Sequence, residues 1–204
     1  LMNYGRLKEG LDEYEWRWKT MKHRPNKRHF SQPQWDGKQS LEGKRILLWS
    51  EQGVGDTIIW SSCLPIIASK AAECILECQE KLVPVLARSF PKVRVNSVNT
   101  SLDFNRNDFD VHLPMGSLYR CCLPLLAKDS QTNAFLIPDP KLVVSWKKRL
   151  KCLGQGPYVG ISWKSSKITP ARQQNYAPIS EWRSLLTIPD ITFVNLQNSD
   201  FKND

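Results

Sequence analysis

The sequence has no apolar run near the ~20 residues that carry a helix across a bilayer, and its N-terminus is polar and amphipathic, unlike a signal peptide. The expected location is therefore cytoplasmic, with no membrane span. Histidine is scarce, with three in 204 residues. The cysteines, Cys63, Cys74, Cys78, Cys121, Cys122 and Cys152, form no C-x-x-C pair. Zinc spacing is absent, so no metal site is expected, and without a secretion signal these thiols read as reduced, several of them as small core residues. There is no RNA-recognition motif, zinc-finger pattern or basic zipper. Acidic residues are the minority: 20 Asp and Glu against 29 Lys and Arg, a formal net charge of +9. Such a balance favours acidic partners. However, the two dense runs, KTMKHRPNKRH (19–29) and WKKRLK (146–151), read first as solvated faces, and nucleic acid is not expected as a partner.

The pattern that is present alternates. Tyr4, Leu7, Leu11, Tyr14 and Trp18 recur at steps of three and four, which predicts a helix over 2–20 with one apolar stripe that must pack on a neighbour. Residues 23–44 are rich in Pro, Gly and polar side chains and read as a linker pinned by Phe30 and Trp35. From residue 45, strand patterns at 45–50, 74–78, 93–98, 109–115, 157–163 and 191–197 alternate with helical ones. The helices are expected at 56–71 (broken at Pro65), 80–90 (Pro84 in the first turn), 117–127, 140–153 (stopped at Gly154) and 179–188 (N-capped by Ser180). Strands alternating with helices predict an α/β fold with a mostly parallel sheet, Rossmann-like. A second unit is expected to begin near residue 156 and to be cut short, since only one strand, one helix and one strand follow.

Two stretches carry candidate chemistry. SEQGVGDTII places Gly53 and Gly55 after the first strand, where open α/β sheets bind ligands. The glycines would supply dihedrals closed to other residues, and the helix starting near Asp56 offers free amides and a positive dipole end. The third glycine of the dinucleotide fingerprint is missing, Ile58 standing in its place, and there is no G-K-[ST]. Asp56 can act as an N-cap, as a base held ionised, or as both. Glu51 reads as a loop anchor on backbone amides. Past the strand end at Trp163 lie Lys164, Ser165, Ser166, Lys167 and Arg172, cations and hydroxyls that suit a diphosphate or else form a basic loop.

YGRLKEGLDEYEWRW resembles the end of a bacterial tetratricopeptide array, and PQWDGKQSLEGKRILLWSEQGVGDTIIWSSCLP resembles the start of the glycosyltransferase-like domain fused behind such arrays. ARSFP, LPMGSLYR, VGISWKSS and FVNLQ follow in the expected order. The family is that of tetratricopeptide-repeat proteins whose C-terminal part is similar to the ADP-heptose lipopolysaccharide heptosyltransferases. The resemblance implies a GT-B fold: residues 1–22 ending a tetratricopeptide array, a linker at 23–44, a Rossmann-like acceptor-side domain at 45–155, and the beginning of a donor-side domain at 156–204. It implies transfer of a sugar from a nucleotide-diphosphate sugar to a glycan or protein acceptor, as in lipopolysaccharide or glycan biosynthesis, with the donor as substrate and no further cofactor or metal. Asp56 would be the catalytic base, with Glu51, Gln52, Gly53 and Gly55 forming the acceptor-side turn, and Ser162, Lys164, Ser165 and Arg172 meeting the donor diphosphate. The tetratricopeptide helices would be a surface for a protein partner. Many relatives carry Gln-Phe-x-Arg-Tyr after the Gly-Asp pair; here Ile58, Ile59, Trp60, Ser61 and Ser62 stand there, so acceptor contacts would differ. The alternative is a non-catalytic interaction or ligand-binding module.

Overall fold

The computed structural model describes residues 1–21, 26–98, 106–126, 134–165 and 169–197, the side chains at 124–126, 171 and 172 lying outside that description. The chain divides into two compact units, Leu1–Ile137 and Pro138–Asp204.

The first unit is built on a parallel sheet of β1 (Arg45–Trp49), β2 (Glu73–Cys78), β3 (Val93–Ser97) and β4 (Val111–Pro114), in the order β3-β2-β1-β4. Central β1 is RILLW, apolar on both faces as a doubly covered strand must be. Its Leu48 lies in register between Leu76 and Leu113. The alternation of side chains along a strand sends Ile46, Leu48, Leu76, Val111 and Leu113 to a core shared with Trp60, Leu64, Leu86 and Leu118. Those residues come from the helices α2 (Val54–Ser61), α3 (Leu64–Ala68), α4 (Val83–Ser89) and α5 (Leu118–Leu126). Pro65 and Pro84 sit in the first turns of α3 and α4, where the missing N–H costs nothing.

The opposite face has a smaller core of Leu47, Trp49, Ile75 and Phe109, closed by Trp18 and Phe30. The segment bearing Phe30 continues into a short bridge beside β4, where the Trp35 N–H donates to the His112 carbonyl and the His112 N–H to that of Pro33. Trp35 itself is buried in the main core.

The helical N-terminus departs from a single helix. A 3-10 turn (Met2–Tyr4), α1 (Leu7–Tyr14) and a second 3-10 turn (Glu15–Lys19) follow one another. Gly5, left-handed at φ 76°, separates the first two. The change of pitch rephases the stripe: Tyr4 and Leu7 are exposed, Leu11, Tyr14 and Trp18 half-buried, and the fully buried positions are Gly10 and Arg17. α1 packs against α5.

In the second unit, α6 (Pro140–Lys151) is capped by Asp139, whose Oδ1 accepts from the Lys141 and Leu142 N–H groups. It groups with the second unit, whereas the sequence pattern assigns it to the first. Parallel strands β5 (Tyr158–Ile161) and β6 (Thr192–Asn195) are joined through α7 (Pro170–Gln173), a 3-10 turn (Ile179–Trp182) and α8 (Arg183–Leu186). The 3-10 turn starts after Pro178, so Ser180 lies within it and is not an N-cap.

Candidate functional site

The strand order reverses between β1 and β4, and open α/β sheets bind ligands in the crevice at the carboxyl ends of such a pair. The glycine turn lies there. Gly53 is extended (φ −72°, ψ 169°) and Gly55 falls in the first turn of α2, so neither needs a left-handed backbone, contrary to the conformational role expected for them. Their small size serves differently at each position. A Cβ on Gly53 would meet Asp56 Oδ2 at 3.1 Å, while one on Gly55 would meet nothing within 4 Å. The backbone at Gly55 is thus open to approach. Asp56 is half-buried and its Oδ2 accepts the Gly53 N–H at 3.0 Å, the reaching-back half of a capping box. Its Oδ1 has no hydrogen-bond partner among the described residues. On the far side of the turn, Gln79 Nε2 donates to the Gln52 carbonyl (2.7 Å) and Thr57 Oγ1 to Gln79 Oε1 (3.3 Å), tying the turn to the end of β2.

Glu51 does anchor the loop on a backbone amide, that of Gly116 just past β4 (3.1 Å), but it has a second partner that pattern reading missed. Arg17 Nη2 lies 3.2 Å from Glu51 Oε1 and donates to Ser117 Oγ at 2.8 Å, and Arg17 Nη1 meets Glu15 Oε1 at 2.7 Å. The guanidinium also stacks over the rings of Tyr14 and Trp18. Tyr14 Oη donates to Gln52 Oε1 (2.8 Å). Burial pushes the Glu51 carboxyl above its ordinary value, opposed first by the Arg17 charge and then by the hydrogen bonds of Gln52 and Gly116. All three of those partners are donors, the set that an acceptor-only carboxylate requires. Burial likewise raises the Tyr14 phenol. The helical segment therefore reaches the inner side of the turn. Arg17 left no signal in the sequence, because an arginine in an amphipathic helix reads as solvated. Gly116 and Ser117 do stand inside LPMGSLYR.

In the second unit, Ser162, Lys164 and Ser165 lie together after β5, and Gln197 past β6 organises them. Its Oε1 accepts from Ser162 Oγ and from the Trp163 and Lys164 N–H groups, each at 3.2 Å, and its Nε2 donates to the Lys164 carbonyl at 2.9 Å. The Ser162 hydroxyl is thereby engaged within the loop. Ser166 and Lys167 lie outside the described residues, as does the Arg172 side chain, although its backbone belongs to α7. A cavity of about 490 Å³ opens elsewhere in the first unit, by the loop preceding β1, with Trp35, Lys38, Leu41, Ser69, Lys70 and Cys121 among its walls.

Among the described residues no three His, Cys, Asp or Glu side chains gather as a metal site, and no helix is long and apolar enough to cross a membrane. The fold is α/β, a four-stranded parallel sheet flanked by helices and compatible with a Rossmann-like domain. No protein-family model matches the chain, and no solved structure matches it. Among curated proteins it is similar to Protein FlbA of Caulobacter vibrioides (strain ATCC 19089 / CIP 103742 / CB 15), with 32% identity over 218 aligned residues covering 100% of this chain and 36% of FlbA. The chain thus spans a little over a third of that relative.

Proposed function

We propose that this chain is part of a cytoplasmic, heptosyltransferase-like glycosyltransferase of GT-B type, preceded by a tetratricopeptide helix, that moves a sugar from a nucleotide diphosphate to a glycan or protein acceptor. The observation that supports it best is Asp56: a half-buried carboxylate with one oxygen engaged and one spare, beside open backbone, at the carboxyl end of the central strand. Asp56 would take the proton from an acceptor hydroxyl. The acceptor oxygen would then bond to the anomeric carbon as the bond to the diphosphate breaks, the electron pair leaving with the phosphate. The Lys164 ammonium and the Ser165 hydroxyl would stabilise that leaving charge, with Arg172 beside them in sequence. General-base catalysis of this kind contributes about 10²–10⁴-fold. The full-length protein should show saturable binding of a UDP-, GDP- or ADP-sugar together with transfer, and Asp56→Asn should lose about a hundredfold or more in kcat. Normal transfer by the variant would remove Asp56 from the chemistry.

A non-catalytic module is the second reading. It is favoured by one observation: Tyr14 and Arg17 occupy the inner side of the turn at the reversal point of the sheet. Absence of nucleotide-sugar binding by the full-length protein would decide for it.

A further inference from the structure

We infer that Arg17 is a positioning residue for the glycine turn, and that the helical segment carrying it works as part of the α/β unit's site. The turn after β1 is tied from two directions that do not depend on each other. Gln79 and Thr57 hold it from the end of β2. From the other side, Arg17 is the common node, in contact with Glu51, Ser117 and Glu15 at once. The Glu51 carboxylate stands between this guanidinium and the Gly116 N–H, so one buried side chain couples the ends of β1 and β4 to the helical segment. Gly116 is the geometric condition for it. A Cβ there would run into the Glu51 carboxylate and come within 3.2 Å of Arg17 Nη2. Ser117 Oγ also donates to Glu15 Oε1 (2.8 Å), so the hydroxyl and the guanidinium share the Glu15 carboxylate.

Such an arrangement has a specific mechanical result. With Arg17 removed, Glu51 is a buried carboxylate without its countercharge, and the strain falls on the residues next to it, Gln52 to Asp56. The Gln79 tether and the sheet ladders do not pass through Arg17 and keep their own support. The helical segment thus has leverage on where Asp56 and the open Gly55 backbone lie.

Hydrogen exchange on the full-length protein tests this without any assay of activity. Arg17→Met should speed exchange of the hydrogen-bonded Gly53 and Thr57 amides by about tenfold while β2 and β3 amides stay unchanged, local opening being separable from global unfolding. Adding Glu51→Gln, which removes the orphaned charge, should recover most of that protection. Ser117→Ala, which deletes one partner and leaves the ion pair, should loosen the same amides about threefold and stands in should Arg17→Met fail to fold. Unchanged protection at the turn overturns the inference, as does acceleration spread evenly over the first unit or a double variant no better protected than the single one. Where the sugar-transfer reading of this site holds, on which the catalytic consequence rests, Arg17→Met should lower kcat about tenfold at unchanged donor KM. A protein that transfers no sugar but shows the local exchange pattern separates the two: the transfer reading fails and the positioning role stands.

Discussion

His112 is the residue whose surroundings bear most directly on pH. It lies on the second face of the sheet among Phe30, Trp49 and Phe109, and the Trp49 indole N–H donates to its Nδ1 at 3.2 Å, so the bonded ring is an acceptor at that nitrogen. Burial, then the Arg28 and Lys27 charges, depress its pKa from 6.5 to about 4. The unfolded chain therefore takes up the proton first. Stability contributed by the neutral ring is complete above pH 6.5, declines as pH falls, and is gone once the folded form also protonates near 4. The difference amounts to roughly 3 kcal/mol. Urea unfolding from pH 7 to 4 should show this slope in the native protein and a flatter one in His112→Gln, whose side-chain carbonyl can still accept from Trp49. Equal slopes would assign the pH dependence elsewhere. The turn shows how the sequence is read at this scale. Gly-x-Gly-Asp read correctly as the turn between β1 and α2, because strand and turn are local, but the N-cap is Gly53 and Asp56 reaches back to it from the first turn of the helix. Its glycines serve by size and not by dihedral, since what they meet is decided by distant neighbours.

At the scale of elements, the second face of the sheet is covered by a strap of coil and by Trp18. Arg28 bonds Glu77 at 2.6 Å, and Arg106 bonds the other oxygen of the same carboxylate, all three side chains being nearly buried. Glu77 is the penultimate residue of β2, where the alternation of an apolar strand would place a hydrophobic residue. Its charge makes sense only with two arginines brought from 49 and 29 residues away. Glu77→Ala leaves two buried cations and should cost roughly 3 kcal/mol in chemical unfolding; a loss under about 1 kcal/mol would show that aromatic packing alone holds the strap. Periodicity made the strands legible, along with the prolines that open α3 and α4. It failed at the N-terminus, where Gly5 and two 3-10 turns break the phase, and at Ser180, where the preceding Pro178 starts the turn early. Arg17 was invisible because its partners lie 34 and 100 residues away.

For the whole molecule, the residues named in the sugar-transfer proposal fall in both units. The first holds the carboxylate at a strand end. The second holds Lys164 and Ser165 in a loop fastened by Gln197. On the sugar-transfer proposal, Lys164→Ala in the full-length protein should raise the donor KM about tenfold and leave the acceptor KM unchanged, a loss equivalent to about 1.4 kcal/mol. An equal effect on both substrates would argue against a diphosphate contact. Alternation of strands and helices made the α/β class readable. The pairing order β3-β2-β1-β4 was not readable, because it is set by which edge of the sheet a returning strand finds. The unit boundary at Ile137 escaped for a similar reason: α6 is amphipathic in sequence, and only tertiary packing assigns it to one side.

Trp18 comes from the helical N-terminus and Trp49 from the central strand, yet their rings lie 5.8 Å apart at 42°. Two indoles that close and tilted couple their transition dipoles, so the pair should produce a signed near-ultraviolet dichroism band that neither ring gives alone. The protein thus carries an optical gauge of whether its N-terminal segment is seated. That signal can be followed in real time during folding or ligand addition, with no label attached.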